Sequence, residues 1–136
     1  MSRTIVYDTG MLIALAKRAR IAHAKHEEAT RYERPIVPGP VLSQVWRDSS
    51  RLQATLSHYL KDCLIHIEYD EDDYRRVGLM LGDSRPSGKK GPDFVDALVA
   101  YTAAGQAPAA VVTSDPLDIL TYLDALPRPR VAVIPV

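Results

Sequence analysis

Ile5-Val6-Tyr7-Asp8-Thr9-Gly10-Met11-Leu12-Ile13-Ala14-Leu15-Ala16 passes from one apolar run to another across a single aspartate. Ile5-Val6-Tyr7 is a β-branched and aromatic run, the composition of a short buried strand. Met11 to Ala16 follows as an apolar, helix-forming segment with Thr9 as its expected cap. A strand that gives way to a helix within three residues belongs in an α/β chain. It argues against the β-rich alternative suggested by Asp8-Thr9-Gly10, a dimeric aspartic protease with two apposed Asp-Thr-Gly loops sharing one proton. Asp8 then falls at the carboxyl end of a strand, where open α/β sheets collect ligands and active sites.

The same alternation continues along the chain. A helix is expected over 22–32, stopped by Pro35, then a strand at Ile36-Val37 and a turn at Pro38-Gly39-Pro40. Val41, Leu42, Val45 and Trp46 are spaced for one helical face, on a helix ending near Ser49-Ser50. Leu52, Leu56, Tyr59 and Leu60 mark the next helix; these and Trp46 are expected in the core, with a partner or dimer surface as the alternative. A strand follows over 64–67, then a helix capped by Asp70, then a polar loop over 82–92. A helix runs from Asp93 to Ala104, closed by Gly105. A strand over 110–113, a helix over 115–126 with Pro116 in its first turn, and a strand over 131–134 complete the pattern. Short apolar strands alternating with helices predict a mostly parallel sheet covered on both faces.

The 136 residues suffice for one domain with its own core, expected to span 1–136. Lys plus Arg and Asp plus Glu each total 17, so no overall basic excess points to nucleic acid. A basic rim around an acidic centre is still compatible with that balance. Cys63 is the single cysteine, so no internal disulfide is possible, which fits a reducing compartment and a small buried hydrophobe. No apolar run approaches the roughly 18 residues of a membrane span. Met1-Ser2-Arg3-Thr4 leads straight into a strand with no apolar signal segment, so a cytoplasmic protein is expected.

The aspartates carry the chemistry. Asp8 closes the first strand, Asp115 closes the run Ala110-Val111-Val112-Thr113-Ser114, and Asp93 and Asp96 open a helix three residues apart. Each alone is an ordinary helix-start residue. Together, at strand ends of one α/β chain, they would repel one another unless protonated or neutralised by a cation. Mg²⁺ or Mn²⁺ accepts such oxygen ligands, typically one or two protein carboxylates with several waters. That donor set suggests phosphodiester hydrolysis, with RNA as the expected substrate and no serine or cysteine nucleophile required.

These residues together resemble a PIN domain, and most closely a VapC-type toxin ribonuclease of a type II toxin–antitoxin system. The resemblance covers essentially the whole chain. It rests on Ile5-Val6-Tyr7-Asp8-Thr9-Gly10, on Pro40-Val41-Leu42-Ser43-Gln44-Val45-Trp46-Arg47, on Asp93-Phe94-Val95-Asp96-Ala97-Leu98-Val99-Ala100 and on Thr113-Ser114-Asp115-Pro116. It implies a three-layer α/β/α sandwich with a short, mostly parallel sheet and an acidic Mg²⁺/Mn²⁺ pocket. Asp8, Asp96 and Asp115 would occupy metal-site positions, Asp93 an additional one found in a subgroup, and Asp118 a lower-ranked one. Gln44 stands where such domains usually place a glutamate; an amide keeps a ligating oxygen and loses the charge. The resemblance also implies a cognate VapB-type antitoxin with a DNA-binding end, which would bring DNA to the chain only indirectly, and a toxin homodimer. The alternative is a binding module of this fold, catalytically weak or inactive, that acts through a protein partner.

Other features are read as lesser. His23 and His26, three apart with no third ligand in view, are expected on a solvated helix face. His58 and His66 are isolated. Arg47 and Arg51 follow Gln44, and Lys89 and Lys90 precede Asp93; all four are positioned to meet phosphates or simply to face solvent.

Overall fold

The structure, a computed structural model, describes residues 3–47, 50–84, 91–127 and 129–136. Among these residues five strands, β1 (Thr4–Tyr7), β2 (Ile36–Pro38), β3 (Leu64–His66), β4 (Ala109–Thr113) and β5 (Val131–Pro135), form one sheet in the order β3-β2-β1-β4-β5. Every pairing is parallel. The middle strands are the most apolar: β4 is buried throughout, and Val6 and Tyr7 of β1 have no exposed surface. Parallel strands buried on both faces read as continuous apolar runs, which is how they stand in the sequence.

Among the described residues seven helices fill the connections: α1 (Thr9–Ala16), α2 (Arg20–Thr30), α3 (Gly39–Trp46), α4 (Ser50–Leu60), α5 (Glu71–Asp83), α6 (Phe94–Gly105) and α7 (Pro116–Leu123). From β1 the chain steps to β2 and β3 on one side; from β3 it crosses to β4 and β5 on the other. Parallel crossovers are right-handed, so opposite steps place their helices on opposite faces. Accordingly α1 packs with α2, α3 and α4, while α6 packs with α5 and α7. The result is the α/β/α sandwich expected. Between β1 and β4 the stepping direction reverses, and such a switch point opens a crevice at the strands' carboxyl ends.

Local chemistry sets the element ends, with several departures from expectation. Thr9 does not cap α1. Asp8 does: its Oδ1 accepts the Met11 N–H at 2.8 Å, and Thr9 is already the first helical residue. Gly39 and Pro40 are not a turn but the first residues of α3, where proline lacks only an N–H that a helix start leaves unpaired. Gly82 and Asp83 belong to α5 rather than to a loop; Ser84 closes it, its N–H and Oγ both on the Met80 carbonyl. Asp70 opens α5 as expected, in a reciprocal capping box with Asp73. Ser49, Lys89 and Lys90, to which the sequence reading gave roles, lie outside the described residues.

Leu56 and Tyr59 are buried and Leu52 and Leu60 half-buried, as expected, and Cys63 is a buried thiol whose pKa burial pushes up to about 12. Trp46 is different: α3 turns Val41 and Val45 inward and leaves Trp46 39% exposed. His26 also departs from expectation. It is 3% exposed, with Nδ1 2.9 Å from the Tyr7 hydroxyl and Nε2 2.9 Å from Asp62 Oδ2. The two bonds tie α2 to β1 and to the end of α4, so His26 is a core connector rather than a solvated residue. Tyr7→Phe leaves the imidazole one partner short in a dry site. A loss of about 1–3 kcal/mol follows, measurable by urea unfolding; an unchanged midpoint would show the bond to be energetically idle.

Candidate active site

The register of the two central strands assembles the site. Tyr7 pairs with Val112, which sets Asp8 beside Thr113 where both strands end. The Asp8 N–H donates to the Val112 carbonyl at 3.3 Å, continuing the ladder by one bond. Asp8 is 3% exposed. Burial raises its pKa above the ordinary carboxylate value, opposed by hydrogen bonds from the Thr113 hydroxyl and the Met11 N–H; the neighbouring Asp115 charge raises it further.

Thr113, fully buried, ties two of the aspartates together. Its side chain bonds Asp8, and its Oγ1 accepts the Asp115 N–H at 2.8 Å. Asp115 begins α7 without a side-chain capping bond, so its carboxylate has no part in starting its own helix. Nothing local in Thr113-Ser114-Asp115-Pro116 marks Thr113 as a site residue. We expect Thr113→Val, similar in shape, to cost about 1–3 kcal/mol through the unpaired Asp115 N–H. It should also reduce any activity of the site more than Tyr7→Phe does; equal effects of the two would make Thr113 merely structural.

Gly10 lets the two strand ends approach. A methyl there would overlap Ser114 Oγ and stand 2.7 Å from Ser114 Cβ. The first turn of α1 thus lies against the loop from β4 into α7.

From the other layer comes α6. Asp93 caps it: Oδ1 accepts the Asp96 N–H at 3.0 Å, and the Asp93 N–H donates to the buried Tyr122 hydroxyl of α7 at 2.7 Å. Asp96, in the first turn, faces the centre of the group. Its pKa is pushed up to about 7, by burial first, then by Asp93, Asp8, Asp118 and Asp115. Asp118, which the sequence reading ranked lower, is 5% exposed and belongs to this electrostatic group. Its signal was its spacing, one helical turn past Asp115.

Gln44 comes from α3. Its side-chain oxygen accepts the Thr9 hydroxyl at 2.6 Å, which joins α3 to the residue after Asp8. The structure therefore gathers Asp8, Asp93, Asp96, Asp115 and Asp118 into one electrostatic group and sets Gln44 next to it on the neighbouring helix.

Among the described residues, no three His, Cys, Asp or Glu side chains already stand as a ready-made metal cage. Mg²⁺ does not need one, since it keeps several waters and takes one or two protein carboxylates. The donor chemistry fits such a hard cation: five carboxylates and an amide, all oxygen, with the Asp96 pKa pushed up to about 7 by burial and then by its carboxylate neighbours. A cation would relieve the repulsion among these carboxylates.

No protein-family profile matches the sequence, and no curated protein matches it. Among solved structures, the chain is similar to one in the crystal structure of VapBC2 from Rickettsia felis bound to a DNA fragment from their promoter. The TM-score is 0.67 at 15% identity, over 96% of this chain and 98% of that one. The fold is PIN-like. An identity so low speaks for the PIN-like fold alone, and the acidic site rests on this chain's own residues.

Proposed function

We propose that this chain is the toxin of a type II toxin–antitoxin pair, a Mg²⁺- or Mn²⁺-dependent endoribonuclease that cleaves RNA phosphodiester bonds in the cytoplasm. The observation that carries the proposal is the group of aspartates gathered at the switch point, where burial first and the neighbouring carboxylates second push the Asp96 pKa up to about 7. A cation at that point would be held directly by one or two of Asp8, Asp93, Asp96 and Asp115 and through its waters by the others, with Asp118 adding charge. Bound there, Mg²⁺ or Mn²⁺ supplies a more acidic water and charge stabilisation for a phosphodiester. The chain's part is to fix the carboxylates: Asp8 through Met11 and Thr113, Asp115 through Thr113, Asp93 through Asp96 and Tyr122.

The likeness to a chain of the VapBC2 complex, which is bound to promoter DNA, supports a cognate antitoxin as partner, with DNA reached through that partner; a homodimeric toxin belongs to the same proposal. Among the described residues no helix is long and apolar enough to cross a membrane. An arginine from the antitoxin entering the acidic group is the inhibition mode best suited to its charge. Deleting the antitoxin's tail without loss of inhibition would count against that mode.

The test is incubation of the purified chain with mixed RNA in Mg²⁺, in Mn²⁺ and in chelator, beside Asp8→Asn. Discrete fragments that require metal and disappear in the variant are expected. Gln44 favours the second reading, a weakly active or inactive binding module, because it is uncharged and already bonded to Thr9. On that reading no condition gives cleavage, and Gln44→Glu becomes the substitution that restores it.

A further inference from the structure

α1 ends in a turn that ordinarily calls for glycine. The Arg18 N–H donates to the Leu15 carbonyl at 3.0 Å and the Ala19 N–H to the Ala14 carbonyl at 2.9 Å. This is the Schellman closure, whose left-handed position suits glycine. Here that position is Arg18, with φ 60°. A side chain pays a steric penalty in this conformation that glycine avoids. A strained residue in a surface turn directs attention to its side chain.

That side chain lines a cavity of about 610 Å³ between the α1–α2 junction and α4. Arg18, Arg20, His23, Thr55, His58 and Tyr59 form its walls, and no carboxylate is among the described residues that line it. His23 is a fixed wall: its Nδ1 lies 2.8 Å from the Tyr59 hydroxyl and its Nε2 2.9 Å from Glu27 Oε1. His58 packs edge-on against the Tyr59 ring, with centroids 5.5 Å apart. Among the described residues, neither Arg18 nor Arg20 is in an ion pair with a carboxylate. Arg20 opens α2, whose preceding residue, Ala19, offers no side-chain cap. Two arginines, an imidazole and an uncapped helix start around one recess are complementary to a phosphate group. The volume is in the range of small-molecule sites, larger than a bare phosphate requires. Imidazole and phenol rings in the wall suit a planar base.

We infer that this cavity binds a phosphorylated anion of nucleotide size, with its phosphate on Arg18 and Arg20 and its ring against His58 and Tyr59. The same chemistry is offered by a free mononucleotide and by the 5′-phosphorylated end of an RNA. The cavity lies at the opposite end of α1 from Asp8, so the inference stands apart from the metal-site reading.

The experiment is calorimetric titration of the full chain in chelator, which silences any metal-dependent cleavage. AMP is the first probe, followed by a short oligonucleotide with and without its 5′ phosphate. Saturable AMP binding is expected, weakened about tenfold or more by Arg20→Ala. Arg18→Gly is the discriminating variant: it should weaken binding by a similar factor while raising Tm, since glycine relieves the turn. A 5′-phosphorylated oligonucleotide that binds more tightly than AMP identifies an RNA end as the source, and equal affinities identify the free nucleotide. No saturation at millimolar AMP overturns the inference, as does affinity unchanged in both arginine variants. Stronger binding of a glutamate-rich peptide than of AMP also overturns it, in favour of an acidic protein segment.

Discussion

Asp96→Asn is expected to abolish RNA cleavage and, in the metal-free protein above pH 7, to make the fold more stable. The two effects share one cause. Asp96 is half-buried amid Asp93, Asp8, Asp118 and Asp115, and its pKa is raised from 3.8 to about 7. The folded chain therefore holds this proton more tightly than the unfolded chain does. Stability from this residue is present below about pH 4 and is lost as pH rises to about 7, because the unfolded state gives up the proton first. After discounting for solvent screening, the loss is on the order of 1–2 kcal/mol, a few degrees in Tm. An amide at 96 carries no charge to repel, so the variant in chelator should lose this pH dependence and melt above the parent at pH 8. Saturating Mg²⁺ should reverse the order. It binds the folded parent and raises its stability by about 2.7 kcal/mol at a hundredfold excess over Kd, whereas the variant has lost a ligand. Removing a carboxylate that holds a catalytic cation costs several kcal/mol of barrier, about a thousandfold in rate. Melting curves at pH 5 and pH 8, with and without Mg²⁺, beside an RNA cleavage assay, decide the matter. A variant that melts below the parent in chelator at pH 8 would show Asp96 to be stabilising, and one that cleaves normally would remove it from the site.

What made this site legible is that its parts are local signals. Asp8 and Asp115 each follow a short apolar strand, and Asp93 and Asp96 begin a helix, so four positions can be found without knowing which strands are neighbours. The parallel sheet was legible for the same reason, since buried strands carry unbroken apolar runs. The less visible features depend on pairing across long sequence distances. Thr113 matters only because the β1–β4 register sets it beside Asp8, over a hundred positions earlier in the chain. His26 looked solvated because histidine adds little to an apolar face, and its partners Tyr7 and Asp62 lie 19 and 36 residues away. Trp46 looked buried because its spacing from Val41 and Leu42 fits a helical stripe, yet α3 buries only Val41 and Val45. Capping was misassigned at Thr9 because aspartate and threonine are both good caps, and only the strand's length decides between them.

Gly10→Ala should be the most damaging small substitution in the chain. An alanine methyl at this position has no room: it would overlap Ser114 Oγ and stand 2.7 Å from Ser114 Cβ. The hydroxyl can rotate away, but the Cβ is fixed to the backbone, so the β1–α1 and β4–α7 junctions must separate. Overpacking of this kind costs about 1–3 kcal/mol. The separation acts along the line that joins Asp8 to Asp115 through Thr113, so the carboxylates move apart at the same time. A misplacement of about 1 Å is enough to cost on the order of a hundredfold in rate. Gly10→Ala should therefore lower Tm and cleavage together, although it removes no functional group. The compensating change is Ser114→Gly, which takes away both clashing atoms. Each single variant and the pair form a double-mutant cycle, and residues in contact are where such cycles depart from additivity. The pair is expected to recover most of the lost stability and activity, with a coupling of about 1–3 kcal/mol. Additive losses would mean that Gly10 is needed for some reason other than its approach to Ser114, and that the two strand ends are not held together through this contact.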